Sequence, residues 1–379
     1  MQRAGRTKTA GEGLAAVWRG RGRKMELRRF PVLPPRRGDV LLKLMFSGVC
    51  GTDAHIHAGR LAMPAERLII GHEFVGRVEA LGAGASRDGL GNPLRIGDPA
   101  VACVAKPCGR CFNCRRGETA SCLSFGVTYF RDPEDPPHFH GGFGEHLHSP
   151  AANLVRIPRG VSPEAAAAFA CAGPTAIRAF DYAGNVCRGE LVVVQGLGPV
   201  GLFAVAWAAR AGCVVAAVGS GRSPERMKLA RRLGARLVLD YRRGEPSERV
   251  KAVRAMAERL GRGDGADVVF EASGSPAAIP EGLNLMRTRG RYIVPGQYSN
   301  SGGVEIAPQI ITFKAVRIVG SGQYRLSDVG TYLRFLAANR PLQRVFAACV
   351  THRYPVAEAD AAIAAVESGR AVKAVLAGS

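Results

Sequence analysis

Four cysteines in one short loop could together hold a metal ion. They are Cys108, Cys111, Cys114 and Cys122, in the sequence CGRCFNCRRGETASC. Thiolates at this spacing can close a tetrahedron around zinc, and four protein ligands leave no coordination position for a substrate. The spacing therefore predicts a structural zinc site, and the alternative is a chance cluster of reduced thiols.

A second set of metal-ligating residues is dispersed along the chain. It consists of Cys50 in SGVCGTDAHIHAG, His72 in IIGHEFVG and Cys171 in ACAGPTA. Two thiolates and an imidazole would leave zinc one exchangeable position, which Lewis-acid catalysis on an alcohol requires. Taken singly, Cys171 could equally be a small core residue and His72 a residue of a turn.

A glycine motif follows a strand-like run and precedes a long apolar helix. Gly196, Gly198 and Gly201 lie in GLGPVG, directly after ELVVVQ. In this context the first glycine permits a sharp turn, the second lets the backbone approach a diphosphate, and the third lets the helix pack on the strand. The diphosphate then lies at the helix N-terminus, where unpaired amides favour anions. The motif predicts a dinucleotide site that includes Pro199 and Val200.

The loop after the next strand bears on which dinucleotide binds. That strand commonly ends on an Asp or Glu that binds the adenosine ribose. Here it ends on Gly219, and Ser220, Arg222 and Arg226 follow. A small loop with Ser and Arg would accept a 2′-phosphate, which favours NADP over NAD. The alternative is that these are turn residues whose arginines face solvent.

Sequence patterns predict an α/β protein of two domains. With 379 residues, the chain is long enough for two cores. Short β-branched runs with Pro and Gly turns dominate from Leu14 to Leu44, and residues 88–150 should be loops and short strands. From Pro163 an Ala-rich helix (PEAAAAFACAGPTAIRAF) leads into alternating strands and helices, the pattern of a parallel sheet with crossover helices.

The formal net charge of +21 would suit a nucleic-acid or membrane partner, but the arginines are spread over the whole chain. We therefore expect neither partner. No apolar run is long enough for a membrane helix, and the N-terminal residues MQRAGRTKTAGEG lack the apolar segment of a secretory signal. The expectation is a cytoplasmic protein with a loose N-terminal tail, in which the ten cysteines stay reduced.

Taken together, the motifs resemble those of the medium-chain zinc-containing alcohol dehydrogenases. GVCGTDAH, GHEFVG, the four-cysteine loop, GGFGEH, GLGPVG and SGRAVKAVL occur in the order typical of the family between Leu14 and Leu376. The resemblance implies a β-rich GroES-like catalytic domain of residues 1–174, completed by residues 322–379. It also implies an inserted Rossmann domain of residues 175–321, an active site in the cleft between the domains, and a homodimer or homotetramer.

The resemblance further assigns roles around the metals. It implies a catalytic zinc on Cys50, His72 and Cys171 beside the structural zinc, so that each subunit would hold two zinc ions. Glu73 would be an acidic neighbour of the catalytic metal. Asp53 would orient His72 from behind.

Five more residues complete the implied machinery. Thr52 would contact the alcohol, and His55 would end a proton relay that runs through the cofactor ribose. Thr175 and Val200 would support the nicotinamide, and Lys373 would lie near the diphosphate. A hydride leaves an alkoxide more readily than a neutral alcohol, so the metal would lower the pKa of the alcohol and the relay would carry its proton away.

Some features depart from the family pattern. Gly51 stands where many members have Arg or His, which removes one phosphate contact and favours a polyol-like or divergent subgroup. The insertion YFRDPEDPPHFHGG, residues 129–142, contains His138, Phe139 and His140, which could line the substrate pocket, although surface positions are expected for the histidines. Four cysteines have no family role, and buried packing is expected for them: Cys103, Cys187, Cys213 and Cys349.

The predicted activity is hydride transfer between a nicotinamide dinucleotide and a small molecule: a secondary alcohol, polyol or cyclic alcohol, or the matching ketone in reverse. One alternative keeps the fold but reduces an activated C=C or C=N bond, which the joint presence of Thr52 and His55 disfavours. A zinc-ribbon protein that binds nucleic acid would leave the glycine motif unexplained. The last alternative is a catalytically silent scaffold that keeps zinc for stability only. It is disfavoured because every proposed zinc ligand is present.

Overall fold

The chain folds into two units, the first of which is discontinuous in sequence. The computed structural model describes residues 11–378. Residues 11–171 and 325–378 form the first unit, and residues 172–324 form the second. The loose tail expected from the sequence lies mainly in residues 1–10, outside the described part of the chain. Within residues 11–378, no helix is long and apolar enough to cross a bilayer.

Strands and turns make up most of the first segment, because short runs of β-branched and aromatic residues alternate there with Gly and Pro. Its elements are β1 (Glu12–Val17), β2 (Glu26–Pro31), β3 (Asp39–Val49), α1 (Gly51–His57), β4 (Glu73–Leu81), β5 (Pro99–Ala102), β6 (Ala105–Lys106), α2 (Phe112–Arg115), β7 (Gly126–Val127), β8 (His146–Pro150), β9 (Leu154–Arg156) and α3 (Pro163–Ala168). Between residues 88 and 150 the strands are only two to five residues long, as the sequence predicts.

The second unit is a parallel sheet with helices between its strands. Its elements are α4 (Ala172–Tyr182), β10 (Leu191–Gln195), α5 (Pro199–Arg210), β11 (Val214–Gly219), α6 (Pro224–Arg232), β12 (Ala235–Asp240), α7 (Pro246–Arg259), β13 (Ala266–Glu271), α8 (Ala278–Leu285), β14 (Met286–Val294), α9 (Gln309–Phe313) and β15 (Arg317–Gly320). The six strands lie in the order β12-β11-β10-β13-β14-β15, and all neighbours are parallel. This is the doubly wound order of a Rossmann fold, so the predicted fold class is confirmed.

The chain then returns to the first unit. The returning elements are α10 (Leu326–Ala338), α11 (Arg340–Cys349), β16 (Val350–Tyr354), α12 (Ala359–Glu367) and β17 (Lys373–Ala377). In the seven-stranded sheet of this unit, β3 pairs antiparallel with β4, β8 and β17. Because Gly48 on β3 lies opposite Glu73 on β4, the residues just beyond these strand ends are neighbours.

The Ala-rich segment predicted as one helix is two helices. Helices α3 and α4 are separated by residues 169–171. In a continuous helix, the ring of Pro174 would collide with the carbonyl of Ala170, and its missing N–H would leave that carbonyl unpaired. In the structure Pro174 lies in the first turn of α4, where no N–H is needed. The break leaves Cys171 outside both helices.

The insertion belongs to the core of the first unit, so the surface positions expected for its histidines are wrong. Phe139 is fully buried, and His138 and His140 are more than nine-tenths buried. The His138 ring stacks on Phe30 with 5.0 Å between ring centroids, and His140 Nε2 lies 2.9 Å from the carbonyl oxygen of Asp135. The rings pack against apolar side chains, and their nitrogens hydrogen-bond to carbonyl groups of the same loop. The polar composition of the insertion did not indicate this burial.

Three of the four cysteines without a family role are buried, as expected: Cys103, Cys213 and Cys349. The expectation is wrong for Cys187, which is exposed. Cys187 lies in the turn before β10, where its backbone carbonyl accepts a hydrogen bond from the Cys213 thiol at 3.2 Å. Its backbone, and not its side chain, therefore contributes to the packing of the sheet.

Two further histidines of β8 join those of the insertion. His146 and His148 are both more than nine-tenths buried. Burial, together with the charges of His140, His146, His138 and Arg36, lowers the pKa of His148 to about 3. Burial also lowers the pKa of His140 to about 4. Folding therefore favours the neutral forms of His140 and His148.

Acidification should destabilise the chain through this histidine cluster. An unfolded histidine titrates near 6.5, so below that pH the unfolded chain binds more protons than the folded chain. Stability that is present above pH 6.5 is lost as the pH falls towards the folded pKa values of about 4 and about 3. For His148 alone, the loss between about pH 6.5 and about pH 5 is about 2 kcal/mol, measurable by urea unfolding.

Two variants separate this effect from general acid sensitivity. His148→Leu removes one titrating ring and should lose less stability over the same interval than the unmodified chain. His352→Gln changes a partly exposed histidine on β16 and should lose as much as the unmodified chain. Equal losses in all three proteins would contradict the role given to the buried rings.

Candidate metal and dinucleotide sites

The four cysteines of the short loop converge on one point. The Sγ atoms of Cys108, Cys111, Cys114 and Cys122 all lie within 4.8 Å of one another. Backbone N–H groups also point at sulfur: those of Cys108 and Cys111 lie 3.2 Å from Cys122 Sγ and 3.4 Å from Cys108 Sγ. Helix α2 begins directly after Cys111, whose Sγ accepts the N–H of Cys114 as an N-cap. The loop therefore brings four sulfurs close enough together to bind one metal ion.

The thiols of this loop differ widely in acidity. Backbone N–H groups of Cys114 and Leu123 lower the pKa of Cys111 to about 6. Desolvation and the neighbouring thiols raise the pKa of Cys114 to about 12. Four thiolates packed this closely repel one another, so a fully ionised set needs a cation among them. An all-sulfur tetrahedral donor set fits zinc.

The dispersed residues also come together. Cys50 Sγ lies 3.1 Å from His72 Nε2, and His72, Glu73 and Cys171 form a group whose donor atoms all lie within 4.8 Å of one another. Cys50 directly follows β3, His72 directly precedes β4, and Cys171 lies in the break between α3 and α4. Two sulfurs and an imidazole nitrogen are a donor set that fits catalytic zinc.

A buried carboxylate stands behind His72. Asp53 is fully buried; its Oδ1 lies 3.2 Å from His72 Nδ1, and its Oδ2 accepts the N–H of Cys50 at 2.9 Å. Burial disfavours charge on His72, but Cys50 and Asp53 outweigh burial and raise the pKa of His72 well above its usual value. Burial raises the pKa of the Cys50 thiol. A bound cation favours the opposite forms, a thiolate and a neutral ring that Asp53 holds through Nδ1.

Glu73 and Lys373 form a buried ion pair next to these donors. Both side chains are 1% exposed, and Lys373 Nζ donates to Glu73 Oε2. Burial disfavours the charge of Lys373, but Glu73 outweighs burial and raises the pKa of Lys373. Gly48 makes room for the pair, since a Cβ there would lie 2.1 Å from Glu73 Oε2. The diphosphate role implied for Lys373 stays a prediction, because the ammonium binds Glu73 here.

Thr52 and His55 lie on helix α1, one turn apart. The N–H of Thr52 points at Cys50 Sγ, 3.2 Å away, so the helix start is tied to the candidate metal site. Burial lowers the pKa of His55, so its ring is neutral near pH 7 and can accept a proton. Side chains three residues apart share one face of a helix. Their roles in proton transfer stay predictions.

The glycine motif has the geometry that a dinucleotide needs. Gly196 has φ +91°, and a Cβ there would lie 2.6 Å from the backbone of Ser273. A Cβ on Gly201 would lie 1.9 Å from the carbonyl oxygen of Gly196, whereas around Gly198 there is open space. Helix α5 begins at Pro199, and no side chain caps its N-terminus. Val200 follows in the first turn, whose unpaired amides fit a diphosphate.

The loop after β11 contacts one residue of the neighbouring strand that the sequence did not point to. A Cβ on Gly219 would lie 2.5 Å from the side chain of Leu197, which would have to move to admit the usual acidic side chain. Ser220 Oγ accepts the N–H of Arg222 at 3.3 Å. The unexpected residue is Asp240, whose Oδ1 accepts the N–H of Gly221 at 2.9 Å. The signal was available in LVLD, because the carboxyl ends of adjacent parallel strands lie side by side.

Two more predicted cofactor residues lie on helices of the second unit. Arg226 is on α6, where burial lowers the pKa of its guanidinium. Thr175 is on α4. Their cofactor roles stay predictions.

Comparison with known proteins identifies the family. Residues 36–159 match the family described as "Alcohol dehydrogenase GroES-like domain", and residues 199–338 match "Zinc-binding dehydrogenase". The 5-exo-hydroxycamphor dehydrogenase of Pseudomonas putida is 34% identical to this chain, over 93% of this chain and 95% of its own length. This chain belongs to the zinc-containing alcohol dehydrogenase family. It is therefore an oxidoreductase that acts on an alcohol.

Two further family members extend the comparison. Sorbitol dehydrogenase of Halalkalibacterium halodurans is 28% identical, over 91% of this chain and 93% of its own length. An alcohol dehydrogenase from Thermotoga maritima has a TM-score of 0.89 to this chain at 29% identity, over 97% of this chain and 100% of the other. Family membership confirms the resemblance inferred from the motifs.

Loss of one metal ligand from the four-cysteine loop should lower the thermal stability of the protein. We expect Cys111→Ser to lower the melting temperature by more than about 5 °C, because the metal no longer links the ends of the loop. A strong chelator should lower the melting temperature of the unmodified protein by more than it lowers that of the variant, in which only the site at Cys50 and His72 can still lose a metal. Cys187→Ser, at an exposed cysteine, is the control. An unchanged melting temperature in Cys111→Ser would exclude a structural metal in this loop.

Proposed function

We propose that this chain oxidises a secondary alcohol, a cyclic alcohol or a polyol to the matching ketone, with zinc and a nicotinamide dinucleotide as cofactors. The proposal rests on the approach of Cys50 Sγ to His72 Nε2, 3.1 Å apart, beside Cys171. Three such donors would leave zinc one position for a substrate oxygen. We take residues 1–174 with 322–379 as the catalytic domain and residues 175–321 as the dinucleotide domain.

Different residues of the chain have different roles in the proposed reaction. Zinc on these donors would supply a Lewis acid that lowers the pKa of an alcohol, and bound nicotinamide would supply the hydride acceptor. Asp53 holds His72 in the tautomer that presents Nε2 to the metal. Thr52 would accept the alcohol proton on its hydroxyl oxygen while its own hydroxyl proton leaves along the relay, and His55 would take up that proton and release it to solvent. The lowered pKa of His55 keeps its ring ready to accept that proton.

Two observations support the substrate class. The residue after Cys50 is Gly51, so no charged side chain stands there, which fits the polyol-like subgroup of the family. Two of the relatives of this chain are named for hydroxycamphor and for sorbitol, a cyclic alcohol and a polyol. We therefore propose a small neutral substrate with a secondary hydroxyl group.

A panel of alcohols tests the proposal. Secondary, cyclic and polyhydroxy alcohols should each be offered with NAD⁺ and with NADP⁺, and reduction of the dinucleotide should be followed by its absorbance. Cys50→Ala should lower turnover by more than about 100-fold, since loss of a ligand should exceed the effect of losing a residue that only orients one. Its dissociation constants for both dinucleotides should be unchanged. Cys187→Ala should behave like the unmodified chain.

Two outcomes would contradict the proposal. Full turnover in Cys50→Ala would exclude this residue as a ligand of a catalytic metal. A protein that oxidises its reduced dinucleotide only with activated C=C or C=N substrates, and never reduces the dinucleotide with an alcohol, would be a reductase of the same fold.

The second unit also carries a surface that suits a second copy of the chain. Strand β15 is the edge of the parallel sheet, and within the described residues only β14 pairs with it. Phe313 is 81% exposed and Ile318 on β15 is 48% exposed. An apolar, unpaired edge attracts another strand unless it is covered. We propose that two copies cover it in a homodimer, or in each half of a homotetramer.

A charge on this edge should separate the copies. Ile318→Lys should lower the molar mass in solution, measured by light scattering after size-exclusion chromatography, because lysine on an edge strand opposes strand pairing. Ile96→Lys, at a residue of the first unit that is 68% exposed, should leave the mass unchanged. An unchanged mass in both variants would show that β15 is not the contact.

A further inference from the structure

We infer that Asp240 binds the adenosine ribose and makes this chain select NAD over NADP, against the preference that the sequence suggests. The inference rests on the proposed function, because it concerns the dinucleotide of that reaction. It arises from the loop after β11, where the sequence offers no carboxylate.

The carboxylate of Asp240 fills the space of a missing side chain. Gly219 and Asp240 are partners in the parallel ladder of β11 and β12, and the N–H of Tyr241 donates to the Gly219 carbonyl at 2.9 Å. Two residues after the end of β11, a Cβ on Gly221 would lie 2.2 Å from Asp240 Oδ2. An acidic side chain on Gly221 would therefore begin where the Asp240 carboxylate lies. The neighbouring strand supplies the charge that the loop itself lacks.

The loop holds this carboxylate in place. Oδ1 accepts the N–H groups of Gly221 at 2.9 Å and Arg242 at 3.0 Å. Oδ2 is not the oxygen that these N–H groups bind, and it lies 3.6 Å from the guanidinium of Arg243, whose side chain is 90% exposed. One oxygen is thus fixed by the backbone, and the other keeps its capacity to accept hydrogen bonds. A rigid acceptor with a free lone pair is what a ribose hydroxyl requires.

The space beside the carboxylate can hold part of a nucleoside. A cavity of about 500 Å³ opens there, and its lining includes Gly221, Pro224, Met227 and Asp240. Pro224 and Met227 offer apolar surface to a flat ring, and Asp240 is the acceptor nearest to the loop. This combination suits a neutral sugar next to a base.

Charge decides between the two dinucleotides. The 2′-hydroxyl of NAD donates a hydrogen bond to a carboxylate, whereas the 2′-phosphate of NADP is a dianion that the carboxylate repels. Arg231, Arg243 and Arg249 also line the cavity. The buried Arg249 is already paired with Glu281, Arg231 is exposed, and the side chain of Arg243 is 90% exposed whereas that of Asp240 is only 13% exposed. An exposed charge is screened by water, so it attracts a phosphate less than a fixed, nearly buried carboxylate repels it.

Direct binding measurements test the inference. Dissociation constants of NAD⁺ and NADP⁺ should be measured by titration calorimetry on the full chain, at one ionic strength. The unmodified protein should bind NAD⁺ at least about tenfold more tightly than NADP⁺. Asp240→Asn keeps the acceptor for the two N–H groups and removes the charge, so it should reduce this ratio by about tenfold or more. Glu258→Gln, at an exposed carboxylate on α7 that is not part of the cavity lining, should leave the ratio unchanged.

The outcomes separate this inference from the proposed function. Tighter binding of NADP⁺ by the unmodified chain, or an equal loss of affinity for both dinucleotides in Asp240→Asn, would overturn the role of Asp240 alone. If neither dinucleotide binds the unmodified chain, the proposed function fails as well. Should Asp240→Asn not fold, as judged by its melting temperature, Asp240→Ser gives the same comparison of the two affinities.

Discussion

The antiparallel pairing of β3 with β4 and β17 is the constraint on which the candidate metal site depends. It sets the end of β3 beside the starts of β4 and β17, so residues distant in sequence meet. Cys50 directly follows the end of β3, and His72 directly precedes the start of β4. Gly48 leaves the space that Glu73 and Lys373 fill. A slip of one residue would send alternate side chains to the opposite face of the sheet, and the donors would no longer converge.

This arrangement buries charge at a cost in stability. Asp53, Glu73 and Lys373 are almost entirely buried, and a buried ion pair is weak evidence of stabilisation because both ions lose their hydration. Thiols and an imidazole packed together add to this cost. A divalent cation would offset it, since it favours thiolates and a neutral imidazole at once. This reasoning supports the metal site proposed for the cluster, and it applies equally to the four-cysteine loop.

Local patterns predicted some of these features and not others. The four-cysteine loop and the glycine motif lie within short sequence windows, and the alternation of strands and helices predicted the parallel sheet. The break before Pro174, the burial of His138 and the exposure of Cys187 depend on packing against distant residues. A histidine in a polar loop is normally exposed, and only contacts such as the ring of Phe30 make its burial favourable. Sequence patterns do not contain those contacts.

The loop after β11 is a further case in which the sequence of one segment did not predict the site. The sequence of β11 ends on Gly219, which Ser220 follows, and this pattern predicts a site that binds the 2′-phosphate of NADP. In a parallel sheet, however, the carboxyl ends of neighbouring strands share one edge, so the charge at a strand end is set by two strands together. Here the second strand contributes Asp240 at the level of Gly219. A side chain at position 221 would overlap this carboxylate, since a Cβ there would lie 2.2 Å from Asp240 Oδ2. The absence of an acidic residue on one strand and its presence on the next are therefore a single feature.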